Sequence, residues 1–175
     1  MLEQSNLDSC RFARFKAALR HALRAGVSAS PAFVIGVSAS LAVGAWYLGG
    51  HVPNALLPVA TVQAGGHRLL VEVADTPHTR ERGEMFRKSV YLDGMWFQFK
   101  RPRRVSFWMR DTWMPLDIIF IGPDHRVSGI IRNATPDSTR HLPSPGPVSA
   151  ALEVAAGNAG RWAITLGDLL RLDRS

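Results

Sequence analysis

Cys10 is the only cysteine among 175 residues. This excludes a disulfide-stapled scaffold and a zinc site built from several cysteines. The six histidines (His21, His51, His67, His78, His125 and His141) show no metal-ligand spacing, so no zinc site is expected. No G-x-S-x-G, P-loop, H-E-x-x-H or G-x-G-x-x-G motif is present. The sequence therefore names no reaction, although catalytic partners far apart in the chain leave no such mark. Internal repeats and low-complexity tracts are also lacking. The 15 glycines and 11 prolines follow no period, which excludes a collagen-like chain, and a hydrophobic content of 46% argues against disorder.

The longest absence is of charge. From Ala25 to His67 there is no Asp, Glu, Lys or Arg. Before this run stand Arg11, Arg14, Lys16, Arg20 and Arg24, against only Glu3 and Asp8. A charge-free stretch behind a basic cluster is the pattern of a membrane segment. The candidate span is about Val27 to Leu48, long enough to cross the hydrocarbon layer as a helix but diluted by Ser28, Ser30, Ser38 and Ser40. A cleaved signal peptide is the alternative, with small-residue sites at Ser38-Ala39-Ser40 or Val43-Gly44-Ala45. Because basic residues stay inside, both readings put the C-terminal part outside the cytoplasmic membrane. The expected placement is the inner membrane, single-pass, with a periplasmic domain, or a periplasmic or secreted product after cleavage.

Four segments follow: a basic cytoplasmic leader (1–24), an anchor or signal segment (25–50), a linker (51–57) and a folded domain (58–175). In the leader, Phe12, Phe15, Leu19 and Leu23 fit a short amphipathic helix at the membrane surface, or an unstructured basic arm. Cys10 is a lipidation candidate or a plain thiol. Ser28, Ala32, Gly36, Ser40 and Gly44 form a small-residue stripe through which two anchors could pair as a homodimer.

Period-two alternation dominates the folded part. Residues 68–74, 95–99 and 105–110 alternate, and Leu116–Ile121 is apolar on both faces except for Asp117. Gly122-Pro123-Asp124-His125 is turn chemistry, so a hairpin to a strand over 125–132 is expected. Further strands are expected near 59–62, over 148–154 and over 167–172. A helix begins at Thr76-Pro77 and runs to about Glu84, and a shorter one covers about 158–162. The expected fold is mainly β, a sandwich or jelly-roll-like domain with two short helices, preceded by one transmembrane or signal helix.

Several motifs then converge. They are Glu81-Arg82-Gly83-Glu84-Met85-Phe86-Arg87, Gly94-Met95-Trp96-Phe97, Ser106-Phe107-Trp108-Met109-Arg110-Asp111-Thr112, Pro115-Leu116-Asp117-Ile118-Ile119-Phe120-Ile121 and a tail with Leu152-Glu153-Val154, Gly157 and Gly167-Asp168. Together they resemble the DUF192 family, also called UPF0127, over about 59–172. The resemblance implies a compact, mainly β fold, often behind a signal or anchor, and no reaction. Two positions depart from the family pattern: Glu84 stands where Leu is usual, and Asp111 where Asn is usual. Each adds a negative charge, so a ligand surface there would differ in specificity.

Asp117 is the most informative candidate, because a carboxylate inside a two-face apolar strand must be paired or hydrogen-bonded. It is read either as structural, accepting backbone N–H groups or pairing with Arg87 or Arg110, or as a pocket acid. A cation site from Asp117, Glu153 and Asp168 has no spacing to support it. Trp108, beside Ser106 and Arg110, is either core or a platform for a sugar ring. Trp108, Arg110, Asp111, Thr112, Asp117, Arg87, Glu153 and Asp168 are thus the candidate ligand-binding residues, with no catalytic residue, metal or cofactor assigned. The basic run Lys100-Arg101-Pro102-Arg103-Arg104 is read as a solvated hairpin tip or a contact for anionic lipid or polysaccharide. The outside location argues against nucleic acid. The leading expectation is a non-catalytic binding or accessory domain with a small-molecule or saccharide ligand. The alternative is a hydrolase-like envelope enzyme using Asp117 with Glu153 or Asp168.

Overall fold

The computed structural model describes residues 53, 54 and 57–173. The leader, Cys10, the candidate span and its small-residue stripe lie outside the described residues. Among the described residues no helix is long and apolar enough to cross a membrane.

Nine strands and two short helices follow in order: β1 (Val59–Ala64), β2 (His67–Ala74), α1 (Pro77–Arg82), β3 (Gly94–Arg103), β4 (Ser106–Phe107), β5 (Leu116–Ile121), β6 (Val127–Ala134), β7 (Leu142–Pro143), β8 (Val148–Ala155), α2 (Asn158–Arg161) and β9 (Leu170–Asp173). Seven strands form one sheet in the order β6-β5-β8-β3-β2-β1-β9, and β4 pairs with β7 in a separate ribbon. The domain is mainly β, as the alternation predicts, but its layering differs from a sandwich. One sheet curls until its edges meet. The Val127 N–H donates to Asp168 O at 2.9 Å, and the Leu170 N–H to His125 O at 2.9 Å, which ties the start of β6 to the start of β9.

The curl gives the sheet an inner and an outer face, each with its own apolar cluster. Val62, Leu69, Val71, Val73, Trp96, Ile119, Ile121 and Leu152 pack on one face. Met95, Phe97, Leu116, Ile118, Phe120 and Ala151 pack on the other. All six residues of β5 are buried, so both faces of this strand are covered, as its sequence requires. Burying each large apolar side chain there stabilises the fold by about 1.5–3 kcal/mol relative to exposure.

The turns obey their residues. Gly65 and Gly66 have φ +54° and +84°, the two-residue geometry whose twist matches an antiparallel hairpin and which favours glycine. The β5–β6 hairpin turns at Gly122–His125, with the Arg126 N–H donating to Asp124 Oδ1 at 3.1 Å. The strand expected over 105–110 is cut to Ser106–Phe107, and Trp108 to Pro115 forms a loop.

One pairing is parallel. β2 aligns with β3 in the register Val71↔Gly94 to Ala74↔Phe97. Parallel neighbours need a crossover of a dozen residues or more. Here it is residues 75–93, containing α1, and it crosses the sheet face that bears Glu72, Met95 and Phe97. The candidate site lies beneath it.

Candidate functional site

The crossover is built to turn inward. Thr76 caps α1, accepting from the Thr79 N–H at 3.1 Å, while Thr79 Oγ1 accepts from the Thr76 N–H at 3.1 Å. Gly83 ends the helix one residue after Arg82, with its N–H on Thr79 O at 2.9 Å. Glu84 therefore lies in a turn, not on the helix end expected from sequence. The Phe86 N–H donates to Asp111 O at 2.7 Å and pins this turn to the Trp108–Pro115 loop. Glu84 is left 2% exposed and Arg87 7%.

Arg87 is the centre of a buried ionic group. Its Nη1 donates to Glu72 Oε2, and also to Glu84 Oε2 at 3.1 Å. Its Nη2 donates to Glu72 Oε1 at 3.1 Å and to Asn54 O at 2.9 Å. The Asn54 side chain in turn donates to Thr79 O at 2.9 Å and Gly83 O at 3.0 Å. Burial pulls the Arg87 pKa down, but the Glu72 hydrogen bond and both glutamate charges outweigh it and leave it raised.

Glu153 reaches the same face from β8. The register places Glu72 beside Met95, and Met95 beside Glu153, so the two acids flank one methionine across three strands. Glu153 is 4% exposed. Burial, and then the Glu84 charge, hold its carboxyl well above the usual carboxylate range. Burial pushes Glu84 up to about 7, against the pull of Arg87 and with a further push from Glu72. Glu84 Oε1 is a buried oxygen without a hydrogen-bond partner among the described residues.

Both carboxyls line a cavity of about 470 Å³. Its walls include Met85, Phe97, Phe99, Val105 and Phe107, and its mouth has Arg80, Arg82, Arg103, Arg104 and Trp108. The Arg80 Nη1 is tied to Asp75 O and Gln98 O at 2.6 and 2.9 Å, and its guanidinium lies over the Phe99 ring. Burial favours the neutral, hydrogen-bond-donating form of both carboxyls, while Arg87 pulls Glu84 back toward the ionised, accepting form. Two acids with unlike surroundings are an arrangement suited to proton transfer or to binding hydroxyl and amine groups.

Of the residues singled out from sequence, Trp108, Thr112 and Glu153 line the cavity, and Arg87 holds its floor. Trp108 is 37% exposed, and one indole face is covered by the Arg110 guanidinium, 4.4 Å from the ring centroid. Asp111 has φ +55°, and besides its carbonyl contact to Phe86 its carboxylate lies 3.7 Å from Arg110 Nε. Thr112 is buried, with its N–H on Met109 O at 3.0 Å.

Asp117 corrects an expectation. Neither Arg87 nor Arg110 is its partner. Its Oδ1 accepts from the Asn133 N–H at 2.9 Å, and its Oδ2 from Gly157 and Ala159 at 2.9 and 3.2 Å. It clasps the end of β6 to the start of α2 and does not line the cavity. Asp168 is also elsewhere, accepting from the Thr165 N–H and hydroxyl at 2.7 and 3.1 Å. The structure does not bring Asp117, Glu153 and Asp168 together. Among the described residues no group of three His, Cys, Asp or Glu side chains is placed to hold a metal ion. Glu84, Glu72 and Asn54 are the site residues that sequence reasoning did not select. Only Glu84 carried a signal, as a charged departure from the family pattern.

Comparison with known proteins gives the lineage without a chemistry. No curated protein matches the chain. Two solved structures are similar. One, from Sinorhizobium meliloti 1021 and described as a candidate transcription regulator, is 37% identical with TM-score 0.63, covering 68% of this chain and 97% of its own. The other, a protein of unknown function from Novosphingobium aromaticivorans, is 39% identical with TM-score 0.62, covering 69% and 89%. Residues 60–172 match the family DUF192, described as "Uncharacterized ACR, COG1430". The chain belongs to the DUF192 family.

Proposed function

We propose that this protein is a binding module held outside the cytoplasmic membrane by residues 25–50, with the cavity above Glu84 and Glu153 as its ligand site. The ligand class is a small polar molecule, with saccharides first. The observation that carries this reading is the cavity itself. It joins Glu84, whose Oε1 has no hydrogen-bond partner among the described residues, and buried Glu153 to aromatic walls and a half-open Trp108. Sugar hydroxyls both donate and accept, and ring C–H faces suit aromatic surfaces, so both features find partners in one molecule.

The location rests on the uncharged stretch behind the basic leader. Protease added to intact spheroplasts is expected to digest the C-terminal domain. Protection until lysis overturns the placement. For the site, full-length protein in detergent is titrated with a saccharide panel, following thermal midpoint and tryptophan fluorescence. Binding that is lost in Trp108→Ala and retained in Asp168→Asn supports the reading. Equal loss in both variants counts against this cavity.

The acid pair favours one second reading, a hydrolase-like enzyme. Its acids would be Glu153 as proton donor and Glu84 as acceptor, in place of Asp117 and Asp168. Turnover abolished by Glu153→Gln, with ligand binding kept, separates this reading from simple binding.

A further inference from the structure

The floor and mouth of the cavity carry opposite charge. Beneath it, Glu72 and Glu84 share the guanidinium of Arg87, and Glu153 lies across Met95 from Glu72, its carboxyl pKa raised by burial and by the Glu84 charge. Both Nη atoms of Arg87 are already engaged by Glu72, Glu84 and the Asn54 carbonyl. Glu84 Oε1 is left unpartnered among the described residues, and buried Glu153 lines the same cavity. At the mouth, Arg103 and Arg104 are exposed.

We propose that the cavity takes an amphoteric ligand, with an ammonium group against Glu84 Oε1 and the Glu153 carboxyl and an anionic group at Arg103 and Arg104. This deepens the proposed binding function and rests on the same cavity. The physical reason is charge balance. Buried negative charge in excess of its counter-cations is costly, and either protons or a cation must fill the deficit. Burial raises the pKa of both carboxyls, the direction expected where negative charge is under-compensated. A ligand ammonium would fill the deficit with directed hydrogen bonds. The walls of Phe97, Phe99 and Phe107 also suit a cation. The basic mouth disfavours a plain amine and rewards a ligand that brings its own anion. A bare metal ion lacks a third donor there among the described residues.

Matched probes test both charges. Full-length protein in detergent is titrated by calorimetry with glucosamine 6-phosphate, glucose 6-phosphate, glucosamine and glucose. 6-Aminohexanoate and 6-hydroxyhexanoate form a pair without a sugar ring. Glucosamine 6-phosphate is expected to bind about tenfold tighter than glucose 6-phosphate, the scale of one charged hydrogen bond. Glu84→Gln with Glu153→Gln should erase that gap. Arg103→Gln with Arg104→Gln, both at exposed positions, should weaken the phosphates and leave glucosamine bound at least as tightly. Equal binding of all four sugars keeps the saccharide reading and overturns this one. Preference for aminohexanoate over hydroxyhexanoate, with no sugar bound, does the reverse. No binding by any probe sinks both.

Discussion

Two places in this domain bury carboxylates, and they could hardly be more different. At the Asp117 clasp both oxygens are used, accepting three backbone N–H groups from two segments. Beneath the crossover, Glu84 shares Arg87 with Glu72 and keeps one oxygen without a partner among the described residues, while buried Glu153 feels the Glu84 charge. Depth is the same, since Asp117 is 1% exposed and Glu84 2%. What separates them is the accounting of partners. A buried acid whose lone pairs are all taken by backbone is part of the scaffold. One that faces a cavity with capacity to spare is available for chemistry.

The comparison can be broken at several points. The largest effect is expected at the clasp. Asp117→Ala removes the acceptor of three N–H groups, that of Ala159 buried, and should cost about 3–5 kcal/mol in denaturant unfolding. A loss under about 1 kcal/mol would mean that the clasp is not structural. Next is Gly94→Ala. The added Cβ would lie 2.3 Å from the Glu153 carbonyl oxygen and 3.0 Å from Val154 Cγ1, so β3 and β8 must part. A cost of about 2–3 kcal/mol is expected, together with a displaced Glu153 resonance in carboxyl-labelled NMR. An unmoved resonance would break the link between this strand contact and the cavity.

The third effect depends on pH. Glu84 titrates near 7 in the folded protein against an ordinary 4.5. Between those values the folded state holds more protons than the unfolded one, so stability falls as pH rises from about 4.5 through about 7. The stabilisation is full below that window and gone above it. The loss from this group should be about 3 kcal/mol. Glu84→Gln should flatten the profile, and parallel curves for the two proteins would refute the strained-acid side of the comparison. The smallest effect is at the mouth. Trp108 and Arg110 are exposed partners, so Trp108→Ala should change stability by less than about 1 kcal/mol.

The sequence made the sheet largely legible, because alternation survives in any pairing. It showed β5 buried on both faces and the Gly122–His125 turn. It also showed that Asp117 needs partners, and backbone N–H groups were among those foreseen. It did not show which acids meet. Glu72 and Glu153 share a face because both pair in register with Met95, from the two sides of β3. Strand order is not written in local alternation. Arg87 was read as a partner for Asp117 because charge matching is blind to distance. Trp108 was placed on a strand that ends at Phe107, yet it still reaches the cavity from its loop.

Asn54 gives the domain a mechanical lead. It grips the carbonyls of Thr79 and Gly83 with its amide, and its own carbonyl holds Arg87. A truncation that removed Asn54 would therefore strip the crossover of three anchors, one of them on the guanidinium that holds Glu72 and Glu84, before any strand was touched.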